Sequence, residues 1–146
     1  MKPSSILATL LSAVVLCSCS ALTGSQSVVA ACADLYGLSE EMALRVSASF
    51  GGGIGRMRLT CGTACGMFIL AGLENGNMEP DKPQNKLVNY ELVRRLAVAF
   101  EQQHGSLVCA ELLGMNGQPP KQKMPCKQMV GAAVELYLKT INEENK

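Results

Sequence analysis

Two cysteines four residues apart, each followed directly by a glycine, head an apolar run in RLTCGTACGMFILAGL, residues 58–73. Thiols so placed can serve as nucleophiles, as metal ligands, as halves of a redox pair, or as small buried residues that let helices approach. Seven cysteines in a chain of 146 residues that has no Trp and only three Phe and three Tyr exceed what core filling needs, so cysteine chemistry leads. The odd count leaves at least one thiol without an internal partner. If a helix begins near Thr60, Cys61 and Cys65 fall at i and i+4 with Cβ atoms about 6 Å apart, whereas a disulfide needs about 3.5–4.5 Å. They cannot pair with each other without breaking that helix, yet each can pair with a cysteine of another helix, and both can bind one metal or cluster. Cys61 in the first turn faces free N–H groups and the positive end of the helix dipole, with Arg56 and Arg58 close in sequence. Those are conditions that stabilise a thiolate.

Cys109 lies on a short helical segment before an apolar Leu-Leu pair, and Cys126 opens the last helix after Pro125 with the same N-terminal advantage as Cys61. Cys61, Cys109 and Cys126 make a convergent set. Cys32, inside the first helix, reads as core. Other chemistry is thin. GGGIG lacks the preceding strand and the glycine spacing of a dinucleotide loop. His104 is the sole histidine, which excludes a multi-histidine zinc site, and it is expected to cap the end of its helix as a cation. Tyr36, Tyr90 and Tyr137 read as core-edge residues. A net charge of +1 and a charged fraction of 17% leave no electrostatic footprint for nucleic acid.

The elements that must hold these thiols are helical throughout. SQSVVAACADLYG spaces Val28, Val29, Cys32 and Leu35 along one helix and stops at Gly37. Ser39 caps LSEEMALRVSASF, whose first-turn glutamates suit the dipole. GGGIGRMR is a loop, since each interior glycine costs a helix about 1 kcal/mol. A third helix runs from Thr60, as its cap, to Gly76. After a polar, proline-bearing connection, NYELVRRLAVAFEQQHG turns Leu92, Leu96, Ala99 and Phe100 to one face and Arg94, Arg95 and Gln102 away. A shorter helix runs from Ser106 to Gly114, MNGQPPKQKMP is a surface loop, and a final helix begins at Cys126. The expected fold is all-α, one compact bundle of five or six helices.

The N-terminus reads differently. MKPSSILATLLSAVVLCSCS has one lysine, an apolar stretch from Ile6 to Leu16, then small residues, with no further charge until Asp34. That is the layout of an export signal over residues 1–19, too short to span a bilayer comfortably. Leu16-Cys17-Ser18-Cys19 resembles a bacterial lipobox, which implies acylation at Cys19, a membrane anchor at that residue alone, and a place in the cell envelope. The alternative is a buried first helix of a cytoplasmic domain.

From about Gly24 to the last helix, the order SQSVVAACADLYGLSEEMALRVSASFGGGIGR, CGTACG, CAELLG and a cysteine before an Ala-rich helix resembles a bacterial redox-active protein family defined by four spaced cysteines and a C-G-A-x-x-G motif. The resemblance implies a small helical domain over residues 24–146 whose cysteines do redox work or hold a metal centre. By position, Cys61, Cys109 and Cys126 take the places of the second, third and fourth family cysteines, and Gly62 and Gly66 match the motif glycines. Thr63 replaces the motif alanine. The first family cysteine should directly precede SQSV, where this chain has Gly24, so Cys65 is the nearest replacement. Two chemistries stay open. In thiol–disulfide exchange Cys61 is the reactive thiolate and Cys109 or Cys126 resolves it. In an iron–sulfur cluster or single-metal site, Cys61, Cys65, Cys109 and Cys126 are the ligands. A non-catalytic envelope module held by structural disulfides is the alternative to both. The residues do not specify the redox partner, or a transporter-associated protein, that would work with the domain.

Overall fold

The computed structural model describes residues 21–76, 79, 81, 82, 84–117 and 126–144, so the signal and lipobox readings at residues 1–19 lie outside the described residues. The described chain is all-α: six helices, with no strand among these residues. They are α1 (Gly24–Ala31), α2 (Glu40–Ser47), α3 (Gly62–Asn75), α4 (Gln84–His104), α5 (Cys109–Leu112) and α6 (Cys126–Glu144), with 3-10 turns at Ala33–Tyr36 and Ala48–Phe50. None of the described helices is long and apolar enough to cross a membrane.

Local chemistry sets most of the boundaries. Thr23 and Gln26 form a reciprocal capping box at α1, the Thr23 hydroxyl accepting from Gln26 N–H and the Gln26 side-chain Oε1 accepting from Thr23 N–H. Gly37, at φ 63°, ends the following 3-10 turn in the left-handed conformation that glycine adopts without penalty. The Ser39 hydroxyl accepts from Met42 N–H, and Glu40 and Glu41 occupy the first turn of α2. Helix α4 starts at Gln84, over a turn before the apolar pattern that begins at Asn89. Asn89 instead spends its side chain on the neighbouring helix, donating to the Ala71 carbonyl at 2.8 Å.

Helix α3 is the hub, packed on α1, α4 and α6. Leu92, Leu96 and Phe100 of α4 are fully buried, while Arg94, Arg95 and Gln102 face outward, as the amphipathic pattern requires. Met67 and Leu70 of α3, Val28 and Val29 of α1, and Val134 and Tyr137 of α6 complete the core. Gly66 lets α1 cross close to α3: a Cβ there would stand 2.8 Å from Val28 Cβ and 3.1 Å from the Ser25 carbonyl. Any side chain at position 66 would push α1 away.

Candidate functional site

The start of α3 differs from the sequence expectation by one residue, and the difference has a tertiary cause. Cys61, not Thr60, is the N-cap, with extended-type ψ of 128°, and the helix begins at Gly62. The Cys61 N–H donates to the Leu107 carbonyl at 2.7 Å, and the Cys109 N–H donates to the Leu59 carbonyl at 2.6 Å. These two bonds flank Thr60 and Val108, which form a single antiparallel bridge. Side chains alternate across such a ladder, so Cys61 and Cys109 share the face opposite to Thr60 and Val108. Both cysteines are buried, at 6% exposure for Cys61 and 8% for Cys109, whereas Leu59 on the same side of the bridge is 52% exposed. The two cysteines therefore look into the molecule from adjacent chain segments, each at the start of a helix.

Cys65 lies one turn along α3, its N–H bonded to the Cys61 carbonyl at 2.9 Å and its thiol donating to the Thr60 carbonyl at 3.9 Å. Cys109 lies close enough to Cys61 to act on it electrostatically, as Cys61 does on Cys65. Cys126 opens α6 as expected, but it is exposed and is not among the groups that act on Cys61 or Cys65. All five cysteines among the described residues are free thiols. Among those residues, no three His, Cys, Asp or Glu side chains stand together in a group that could hold a metal ion. Cys32 is fully buried in the core, as expected, and burial pushes its thiol up to about 12.

The expectation of a ready thiolate at Cys61 is reversed by burial. Desolvation pushes the Cys61 thiol above its ordinary value of 9.0, and the nearby Cys109 adds to this. The Ala64 and Thr63 amides and the Thr63 hydroxyl work the other way without making up the difference. Helix-start stabilisation is present, then, but the loss of water outweighs it. Desolvation, followed by the neighbouring Cys61, likewise raises Cys65 to about 11. His104, expected as a helix-capping cation, is buried at the end of α4 against the Phe100 ring, with centroids 4.4 Å apart. Desolvation lowers its pKa, so the ring is neutral. Neither ring nitrogen has a hydrogen-bond partner among the described residues.

The glycine-rich stretch is a loop, as the sequence indicates, but one of unusual hand. From Gly52 to Arg56 every residue has positive φ, with Ile54 at 59° and Arg56 at 65°, and Arg58 follows at 63°. This left-handed turn is closed by Ile54 N–H to Phe50 C=O at 3.1 Å, Gly55 N–H to Ser49 C=O at 2.8 Å and Arg56 N–H to Gly51 C=O at 3.1 Å. Left-handed turns cost L-residues roughly 1–2 kcal/mol each, and a β-branched residue there is rare. The turn wraps the thiol site. Gly53 backs onto Cys109, and a Cβ on Gly62 would stand 2.6 Å from the Phe50 carbonyl oxygen.

Position 24, where the resemblance leaves a cysteine missing, belongs to the same site. A Cβ on Gly24 would stand 2.5 Å from Thr63 Oγ1 and 3.5 Å from Thr63 N, so the first turn of α1 meets the first turn of α3 there. Sequence reasoning did not assign a role to Thr63 or Gly53. The exchange of alanine for threonine in the motif was the signal at 63, and the glycine run contained 53 without marking it out.

Fold and site together define a small helical protein with buried free thiols at the start of its central helix. Over residues 17–140 the chain matches the family described as "Putative redox-active protein (C_GCAxxG_C_C)", and it belongs to that family. No curated protein and no solved structure matches it.

Proposed function

We propose that the protein is a dithiol–disulfide couple in which Cys61 and Cys109 form the redox pair. The observation that carries this reading is the Thr60–Val108 bridge: its flanking hydrogen bonds pair Cys61 with Leu107 and Cys109 with Leu59, which leaves the two buried cysteines diagonal to one another on the same side of it. In the oxidative half-cycle, Cys61 loses its proton and attacks a disulfide of a small thiol or protein partner. The partner's S–S bond breaks, one partner thiolate leaves and is protonated, and Cys61 holds the other in a mixed disulfide. Deprotonated Cys109 then attacks the Cys61 sulfur and expels the second partner thiol. Two protein thiols become one disulfide, and the partner disulfide becomes two thiols. Burial favours the protonated Cys61 thiol at rest, so its deprotonation accompanies attack on the partner disulfide.

The test is anaerobic purification, metal and acid-labile sulfide analysis, and a thiol count before and after mild oxidation on one sample. A metal-free protein that loses two thiols, maps them by mass spectrometry to a Cys61–Cys109 bond and regains them on reduction supports the reading. Cys61→Ser and Cys109→Ser are expected to abolish the change and Cys126→Ser to leave it. Iron with sulfide, lost on mutating Cys61 or Cys126, would replace this reading with a cluster on Cys61, Cys65, Cys109 and Cys126. A disulfide that resists mild reductant and whose loss unfolds the domain would instead make the cysteines structural. The proposal extends to residues 1–19 as an export signal with acylation at Cys19. Labelled palmitate incorporated by the native chain and not by Cys19→Ala tests that part.

A further inference from the structure

We infer that Arg56 and Arg58 form an anion subsite at the rim of the thiol site, one that selects small disulfides carrying a carboxylate near the sulfur. The glycine-rich turn brings Arg58 to Cys109: the point where a Gly53 Cβ would stand is 2.6 Å from Cys109 Cβ and 2.9 Å from Arg58 Cα. The Arg58 carbonyl accepts from Ala110 N–H at 3.1 Å, and the Leu59 carbonyl accepts from Cys109 N–H at 2.6 Å, so the arginine segment runs alongside the start of α5. Arg56 stands over the same turn, its Cγ 2.9 Å from where a Gly52 Cβ would be. Arg56 is exposed and Arg58 half-buried. Both hold a left-handed backbone, at φ 65° and 63°, which L-residues enter only under strain and which clusters at ligand clamps. Arg45 and Arg94 are paired with glutamates on their own helices, whereas neither Arg56 nor Arg58 has a side-chain partner among the described residues. No acidic residue occurs from Met42 to Leu73, and Glu111, the carboxylate of α5, is engaged by the Ser106 hydroxyl at 2.5 Å.

The two guanidinium groups are not among the groups that act on the Cys61 thiol, so their charge is left for an incoming molecule. An unpaired guanidinium grips a carboxylate through parallel, charge-assisted hydrogen bonds. Cys61 and Cys109 are 6% and 8% exposed, which holds back a disulfide mounted on a folded protein and favours a small, flexible one. A carboxylate held at the rim leaves the sulfurs of such a molecule to reach inward. The exchange is the one written above: the substrate S–S bond breaks, the Cys61–Cys109 bond forms, and two substrate thiols leave with the two protons of the protein thiols. The substrate class rests on the reading of Cys61 and Cys109 as the redox pair, whereas the anion subsite is tested by a reaction in which no disulfide forms.

Iodoacetate and iodoacetamide share a size and a mechanism and differ by one charge. Their alkylation rates at Cys61 and Cys109 in the reduced native protein are followed by peptide mass spectrometry at pH 8. The iodoacetate-to-iodoacetamide ratio is expected to be roughly tenfold above that of the urea-unfolded chain at about 0.01 M salt, and to fall toward it at about 1 M, where the screening length shrinks from about 30 Å to about 3 Å. The double variant Arg56→Gln with Arg58→Gln is expected to lose the enrichment, Arg56→Lys with Arg58→Lys to keep most of it, and Arg45→Gln to match the native protein. A native ratio no higher than that of the unfolded chain would overturn the subsite, as would an enrichment that survives the double Gln variant. Should that variant fail to fold, Arg58→Gly, which suits the left-handed backbone, carries the same comparison. The substrate class is read from oxidation of the reduced protein by dithiodipropionate, a dianion, and by neutral hydroxyethyl disulfide. Relative to their rates with a free thiol, the dianion is expected to form the Cys61–Cys109 bond about tenfold faster. Equal relative rates would overturn the class. Absence of that bond with either reagent would remove the redox reading, and the alkylation ratio would still decide the subsite.

Discussion

Gly53 lies directly against Cys109: a Cβ at position 53 would stand 2.6 Å from Cys109 Cβ and 2.9 Å from the Arg58 Cα. With φ at 74°, the position is also one that L-residues enter only under strain. Gly53→Ala therefore adds a clash to a conformational penalty. A loss of about 3 kcal/mol is expected in urea denaturation, from overpacking plus left-handed strain. A native midpoint would mean that the turn can move off Cys109 at no cost.

Arg56 gives the opposite sign. It is exposed, with φ of 65°, so it bears left-handed strain without packing to lose. Arg56→Gly is expected to stabilise the protein by about 0.5–1 kcal/mol, the relief of strain less the extra freedom of an unfolded glycine. Denaturation at fixed pH reads this directly, and a loss of stability would show that the Arg56 side chain makes a contact worth more than the strain.

The buried thiols make stability fall in alkali. Burial raises Cys32 from 9.0 to about 12 and Cys65 from 9.0 to about 11, so the folded protein keeps protons that the unfolded chain releases. Their contribution is complete below pH 9 and is lost as pH rises toward 11 and 12, at about 1.4 kcal/mol per pH unit for each thiol. Cys32→Ala is expected to lower stability at pH 8 and to make the decline above pH 9 shallower in anaerobic, reducing urea titrations. An unchanged slope would mean that Cys32 does not stay protonated in the fold.

His104 acts at the other end of the scale. Its folded pKa is lowered from 6.5 by burial, so the stability it permits is full above pH 6.5 and is lost as the pH falls below that value. Both ring nitrogens lack partners among the described residues, so an apolar side chain gives up no hydrogen bond seen there. His104→Leu is expected to hold or raise stability at pH 7, within about 1 kcal/mol, and to weaken the acid dependence. Loss of several kcal/mol at pH 7 would reveal a partner for the ring.

The helices were legible where one residue type sets a local rule: Ser39 at a cap, Gly37 at a stop, Leu92, Leu96 and Phe100 at helical spacing, glycines at 51–53 where no helix continues. Cys32 as core and the all-α class followed from the same reasoning. What depends on distant segments was not legible. Cys61 became an N-cap because its N–H found the Leu107 carbonyl, 46 residues along the chain, and the same bridge brought the Cys109 segment alongside. Cys126, equivalent by sequence logic, emerged exposed because nothing in its own helix decides which way its first turn faces. The identity of the thiols and their places at helix starts belong to the sequence. Their burial and their protonation belong to the tertiary structure, since desolvation is a property of what packs around a residue rather than of the residue itself.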